Sequence, residues 1–221
     1  MNISSNRTLA PNFKAYRVAQ IKNYLSNKEA YIDLYELAPH SVIDREFINK
    51  ISEKSRFDFT KLCPRLSTFE QERWRKVFDY CIDRVSNCAD KALVAISNNR
   101  FCGIMTFNGE KNVNLSGICS IPDEFGKKVP QTGKSLFYYL FKHVKESGAK
   151  NIELEAVENG PFNVVKKYEE LGFKKQLGEY SGYTKMVSNK YNTDLQLKSL
   201  AKELDYVECK PEKTDLNMFL D

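Results

Sequence analysis

The sequence has no apolar run approaching the roughly 18 residues of a membrane-crossing helix, which argues against a membrane partner. The opening Met1-Asn2-Ile3-Ser4-Ser5 also lacks the apolar stretch of a secretory signal, so a cytoplasmic protein is expected. Histidine is scarce. Neither His40 nor His143 stands at metal-ligand spacing from Cys63, Cys81, Cys88, Cys102, Cys119 or Cys209, and these form no C-x-x-C pair. No metal site is therefore expected, and the thiols are expected to be reduced and mostly buried. A cysteine nucleophile would need an adjacent base, and neither histidine lies near one in sequence. Excess charge is lacking too. A net charge of +5, with acidic residues interspersed, is not the strong basic face of a nucleic-acid binder. There are no internal repeats and no low-complexity segment.

What is present fits one domain with extra terminal segments: 221 residues, 42% hydrophobic and 29% charged. Residues 1–12 are polar. A weak helical spacing over Phe13–Leu25 (Val18, Ile21, Leu25) predicts a helix, and the alternation over Tyr31–Leu37 predicts a strand. Ser41 is placed to cap a helix whose apolar side holds Val42, Ile43, Phe47, Ile48 and Ile51. Residues 54–67 have no clear period and read as a loop. Ser67-Thr68-Phe69-Glu70 is a capping box, and the helix behind it carries Trp74, Val77, Phe78, Cys81, Ile82 and Val85 on one face. Ala92–Ile96 and Phe101–Phe107 flank Asn98-Asn99 as a hairpin, and Asn112–Ile121 follows as a third strand. Gly117 inside that strand marks a bulge or a close backbone approach.

Residues 127–173 hold the candidate site. Lys127, Lys128 and Lys134 crowd the start of a helix whose apolar positions are Leu136, Phe137, Leu140, Phe141 and Val144 and whose stop is Gly148. Unpaired N–H groups and the helix dipole make such an end suitable for phosphate. Gly133-Lys134-Ser135 matches the end of a nucleotide P-loop, but Lys128 occupies the position where that motif requires glycine. A lysine-rich loop before an ordinary helix is the alternative. After a strand at Asn151–Val157 comes a second helix ending in Tyr168-Glu169-Glu170-Leu171-Gly172-Phe173. Gly172 is placed for a Schellman cap, which would pack Phe173 against Tyr168. Two short strands, near Phe173–Gln176 and Tyr183–Val187, and a short amphipathic helix with Leu197, Leu200, Ala201 and Leu204 complete the pattern.

The Tyr168–Phe173 segment resembles the closing motif of the GCN5-related N-acetyltransferase (GNAT) superfamily, whose form is close to Tyr-Glu-Lys-Leu-Gly-Phe preceded by a strand and an asparagine, here Asn159. The family's upstream motif, Gln/Arg-x-x-Gly-x-Gly/Ala, places Lys128 at its basic position, Gln131 at the first glycine and Gly133 at the second. Gln131 reaches positive φ less cheaply than glycine does. The resemblance covers residues 91–187.

It implies an α/β (α+β) fold with a mixed, mainly antiparallel sheet flanked by helices. The GNAT-like domain would span 31–188, with extensions at 1–30 and 189–221. It also implies acetyl-CoA as cosubstrate and an amine acceptor, either a small molecule or a protein. By the same resemblance Ile118, Cys119, Ser120 and Ile121 would hold the pantetheine arm. Lys128, Val129, Gln131, Thr132, Gly133, Lys134, Ser135 and Asn159 would bind the rest of the cofactor. Tyr168 would be the general acid, or else a buried tyrosine that only closes the helix cap. Asp123, Glu124, Glu153 and Glu155 are carboxylates near the site, with none singled out as a base, and His143 is expected on the solvated side of its helix. The rival reading is a GNAT-like binding or scaffold domain without catalysis.

Overall fold

The computed structural model describes residues 15–23, 30–37, 41–54, 67–88, 90–121, 128–158, 164–177, 182–214 and 216–219. The elements in chain order are β1 (Tyr16–Asn23), β2 (Ala30–Leu37), α1 (Val42–Lys54), α2 (Thr68–Cys88), β3 (Lys91–Ser97), β4 (Arg100–Asn108) and β5 (Asn112–Ser120). Then follow α3 (Thr132–Ser147), β6 (Asn151–Val157), α4 (Val164–Glu170), β7 (Lys174–Lys175), β8 (Tyr183–Asn189), α5 (Lys190–Glu203) and β9 (Asp205–Lys213), with a 3-10 turn at Leu216–Phe219. The strands form one sheet in the order β7-β8-β6-β5-β4-β3-β2-β1-β9. All described pairings are antiparallel except β5 with β6, which flank α3 in sequence. The mixed, mainly antiparallel sheet flanked by helices is the architecture expected from the sequence.

Strand β3 shows why the sheet is a central layer. Its run of apolar residues does not alternate, because both faces are covered. Leu93 and Ala95 join Leu136, Leu140 and Phe141 of α3 on one side. Ala92, Val94 and Ile96 meet Phe47 and Ile48 of α1 and Phe78, Cys81 and Ile82 of α2 on the other. The stripe on α3 is buried throughout, from Leu136 to Val144, and each such side chain contributes about 1.5–3 kcal/mol by leaving water. Helix caps follow the residues that predicted them. The Ser41 hydroxyl accepts the Asp44 N–H at 3.3 Å, and Asn98 and Asn99, at φ 51° and 58°, close the β3–β4 hairpin as a type I′ turn.

The helix expected over 13–25 is instead strand β1. Its burial alternates, with Ala19, Ile21 and Asn23 inward, and it is paired on both sides, by β2 and by β9. Two ladders outweigh a weak helical spacing. The segments expected as extensions thus supply β1 and β9 to the main sheet. The expected loop at 54–67 lies almost wholly outside the described residues, as does the Trp74 side chain.

Candidate functional site

The centre of the site is a gap in the sheet. β5 and β6 pair only from Asn112↔Asn151 to Leu115↔Leu154. Beyond that point β5 stays with β4 as far as Ser120, while β6 stays with β8 as far as Val157. The separation begins at a bulge: Phe107 faces Leu115 but Thr106 faces Gly117, which leaves Ser116 as the extra residue. Ser116 is tied down by donating to Asp90, which also accepts from Asn108 at 3.0 Å and from Arg84 at 2.9 and 3.0 Å. Burial alone would raise the Asp90 carboxyl, but the Arg84 guanidinium and the Ser116 and Asn108 donors hold it below the usual carboxylate range. Gly117 lies under α2, where a Cβ would stand 2.7 Å from the Cys81 sulfur. The expected bulge and the expected close approach are both present there.

Helix α3 begins beside this gap. Its approach depends on Gly103 of β4, where a Cβ would stand 2.6 Å from Thr132 Cγ2. Gly133 backs onto the Ser120 hydroxyl, 3.6 Å from where its own Cβ would be. Gln131, the N-cap, sits in the left-handed region at φ 66°, the conformation a glycine adopts without strain. No side chain caps the helix. The N–H groups of Gly133 and Lys134 meet no acceptor among the described residues. Lys128 is exposed at the same end; burial raises the Cys119 thiol, and the Lys128 ammonium offsets part of that rise.

Thr132 and Ser135, both expected to bind the cofactor, turn their hydroxyls to the carbonyls of Val129 and Gln131, to which they donate at 2.9 Å each. They hold the loop in shape, and the N–H groups of both residues donate to the same two carbonyls. Lys134 is paired with Glu203, the last residue of α5. Of the four residues at the end of β5, Ile121 is engaged twice: its N–H donates to Cys102 O at 2.8 Å and its carbonyl accepts from Arg100 at 3.2 Å. N–H direction alternates along an antiparallel ladder, so Cys119 also donates toward β4 and the N–H groups of Ile118 and Ser120 point into the gap.

Tyr168 is fixed as its sequence predicts. Gly172 has φ 82°, Phe173 N–H donates to Tyr168 O at 3.0 Å and Gly172 N–H to Glu169 O at 2.9 Å, which is a Schellman cap. The ring lies edge-on to Phe137 and Phe173, both with centroids 5.9 Å away. Its phenol makes no hydrogen bond to the described residues. Burial, reinforced by the nearby Cys81 and Cys119 thiols, raises its pKa far above the ordinary value, so it remains an intact proton donor across the neutral range. Burial likewise pushes Cys119 up to about 12 and Cys102 up to about 11; neither is a thiolate nucleophile.

The remaining candidates divide simply. Asn159, Lys127, Asp123 and Glu124 lie outside the described residues. Glu153 pairs with Lys185 at 3.2 Å, and Glu155 is exposed on the same strand face. His143 is not solvated as expected. It is half-buried with its ring 5.2 Å from Phe107, and burial lowers its pKa. Sequence reading missed Gly103, Asp90 and Glu203. Gly103 interrupts an otherwise apolar strand and was a visible sign of close approach; the other two act across the fold and left no local sign.

Neither a family model nor a curated protein matches the sequence. Among solved structures the chain is similar to the PaiA N-acetyltransferase of Thermoplasma acidophilum in complex with coenzyme A, at 17% identity and TM-score 0.49, covering 72% of this chain and 98% of that one. It is similar to an aminoglycoside 6'-acetyltransferase type Ii at 16% identity and TM-score 0.48, covering 71% and 96%. It is also similar to Tetrahymena GCN5 at 14% identity and TM-score 0.47, covering 70% and 93%. The first two of these structures are named as acetyltransferases.

Proposed function

We propose that this protein is an acetyl-CoA-dependent N-acetyltransferase of GNAT type, acting on an amine by direct attack on the thioester. The observation that carries the reading is the gap between β5 and β6, with the start of α3 at its edge and the Tyr168 ring packed against Phe137 of that helix. A diphosphate accepts hydrogen bonds from the Gly133 and Lys134 amides, where the dipole of α3 adds partial positive charge, and Lys128 adds a full charge nearby. The N–H groups of Ile118 and Ser120 hold the pantetheine arm in the gap, as a missing neighbour strand would. The amine nitrogen attacks the thioester carbonyl carbon, and the C–S bond breaks. The departing sulfur takes the proton of Tyr168, the former amine nitrogen loses its own to solvent, and a proton from solvent then restores the phenol. Orientation of the thioester by this cradle supplies on the order of 7–11 kcal/mol at best.

The test is thiol release from acetyl-CoA across a panel of amines, with Tyr168→Phe beside the wild type. A positioned acid typically contributes 10²–10⁴-fold, so the variant is expected to turn over about 10²-fold slower or worse while binding coenzyme A equally well. Equal turnover in the two proteins removes the acid role. Coenzyme A binding without thiol release from any amine favours a binding or scaffold domain.

A further inference from the structure

The end of α3 that the proposed function assigns to phosphate is shared with the last turn of α5. Glu203 closes that helix. Its carboxylate pairs with the Lys134 ammonium, and its carbonyl oxygen lies 3.5 Å from the Gln131 side-chain nitrogen. Both contacts fall on the cap and first turn of α3, from a residue about seventy positions away in sequence.

The segment presenting Glu203 is anchored. Leu197, Leu200 and Leu204 are buried in the core on the α3 face, the Tyr138 and Tyr206 rings stand 4.3 Å apart, and Lys142 reaches Glu208 of β9 at 2.9 Å. The backbone that carries the carboxylate is therefore held at this place. The ion pair itself is open to water, at 51% exposure for Lys134 and 45% for Glu203, and solvent screening leaves such pairs weak. A diphosphate brings more negative charge and better hydrogen-bond geometry to the same ammonium.

We propose that Glu203 sets the affinity of the phosphate site: its carboxylate competes with the diphosphate of coenzyme A for Lys134, so the C-terminal segment tunes ligand binding. The proposal rests on the coenzyme A reading above. Glu203 is neither an acid nor a base in the reaction; it acts through Lys134 alone.

The experiment is calorimetric titration of coenzyme A into wild type, Glu203→Gln, Lys134→Ala and the double variant, at low and high salt, with circular dichroism to establish that each is folded. Removing an exposed competitor is expected to tighten binding about two- to fivefold at low ionic strength. The gain should fade at high salt and shrink in the Lys134→Ala background. Glu203→Asp keeps the charge with a shorter reach and should fall between wild type and Glu203→Gln. Unchanged or weaker binding by a folded Glu203→Gln overturns the proposal, as does a gain that ignores Lys134. Absence of coenzyme A binding in every variant, the wild type included, defeats the coenzyme A reading itself and takes this inference with it.

Discussion

Holding a residue with a side chain in the left-handed region costs roughly 1–2 kcal/mol, and Gln131 sits there at φ 66°. Its backbone is held by its neighbours in sequence. The Ser135 N–H and hydroxyl both donate to its carbonyl at 2.9 Å, and the Thr132 hydroxyl fixes the preceding turn through Val129 O. Gln131→Gly relieves the strain but adds unfolded-state freedom of roughly 0.5–1 kcal/mol, so its denaturation midpoint should stay near that of the wild type. Gln131→Val puts a β-branched residue at positive φ and should lose about 1–2 kcal/mol more than the glycine variant. Urea titration of the two variants checks this; equal midpoints would mean that the left-handed turn is not formed. The Tyr168 cap, by contrast, was legible from six residues, because everything a Schellman motif needs lies within two turns of chain. The strain at Gln131 was legible only as a departure from glycine.

At the scale of elements, the gap is made by the bulge in β5, and the bulge is held by Asp90. The ordinary carboxyl pKa is near ~3.9, and in the folded protein Asp90 lies below it. Its ion-pair contribution is therefore complete above the unfolded value and is lost as pH falls through the folded one. Asp90→Asn leaves Arg84 without its carboxylate and should cost about 2–3 kcal/mol near neutral pH. That difference should narrow below about pH 4, as the wild type loses the same interaction. Denaturant melts of both proteins across that range test it, and a gap that does not narrow would show that Asp90 does not anchor Ser116 as a carboxylate. Strands β3 to β5 could be predicted from short apolar runs and turn residues because their partners are neighbours in sequence. β1 could not. The spacing of Val18 and Ile21 suits a helix, and what makes the segment a strand is pairing on both sides, with β2 and with β9, whose Glu212 stands opposite Arg17 from far along the chain.

Taken whole, the molecule is a sheet closed at one edge by its own C-terminal segment, and that segment reaches the proposed phosphate site through Glu203. The fold class was readable from the order of apolar patterns and the two motifs. The joining of both chain ends in one sheet was not, since no local pattern encodes a pairing across nearly the full length. The central claim is that coenzyme A lies with its diphosphate over the first turn of α3 and its arm in the gap between β5 and β6. Calorimetric titration of the wild type with coenzyme A tests it most directly. Saturable one-to-one binding that weakens as salt rises is expected, because a multiply charged ligand meets Lys128 and the helix dipole. No heat of binding up to millimolar coenzyme A would contradict it.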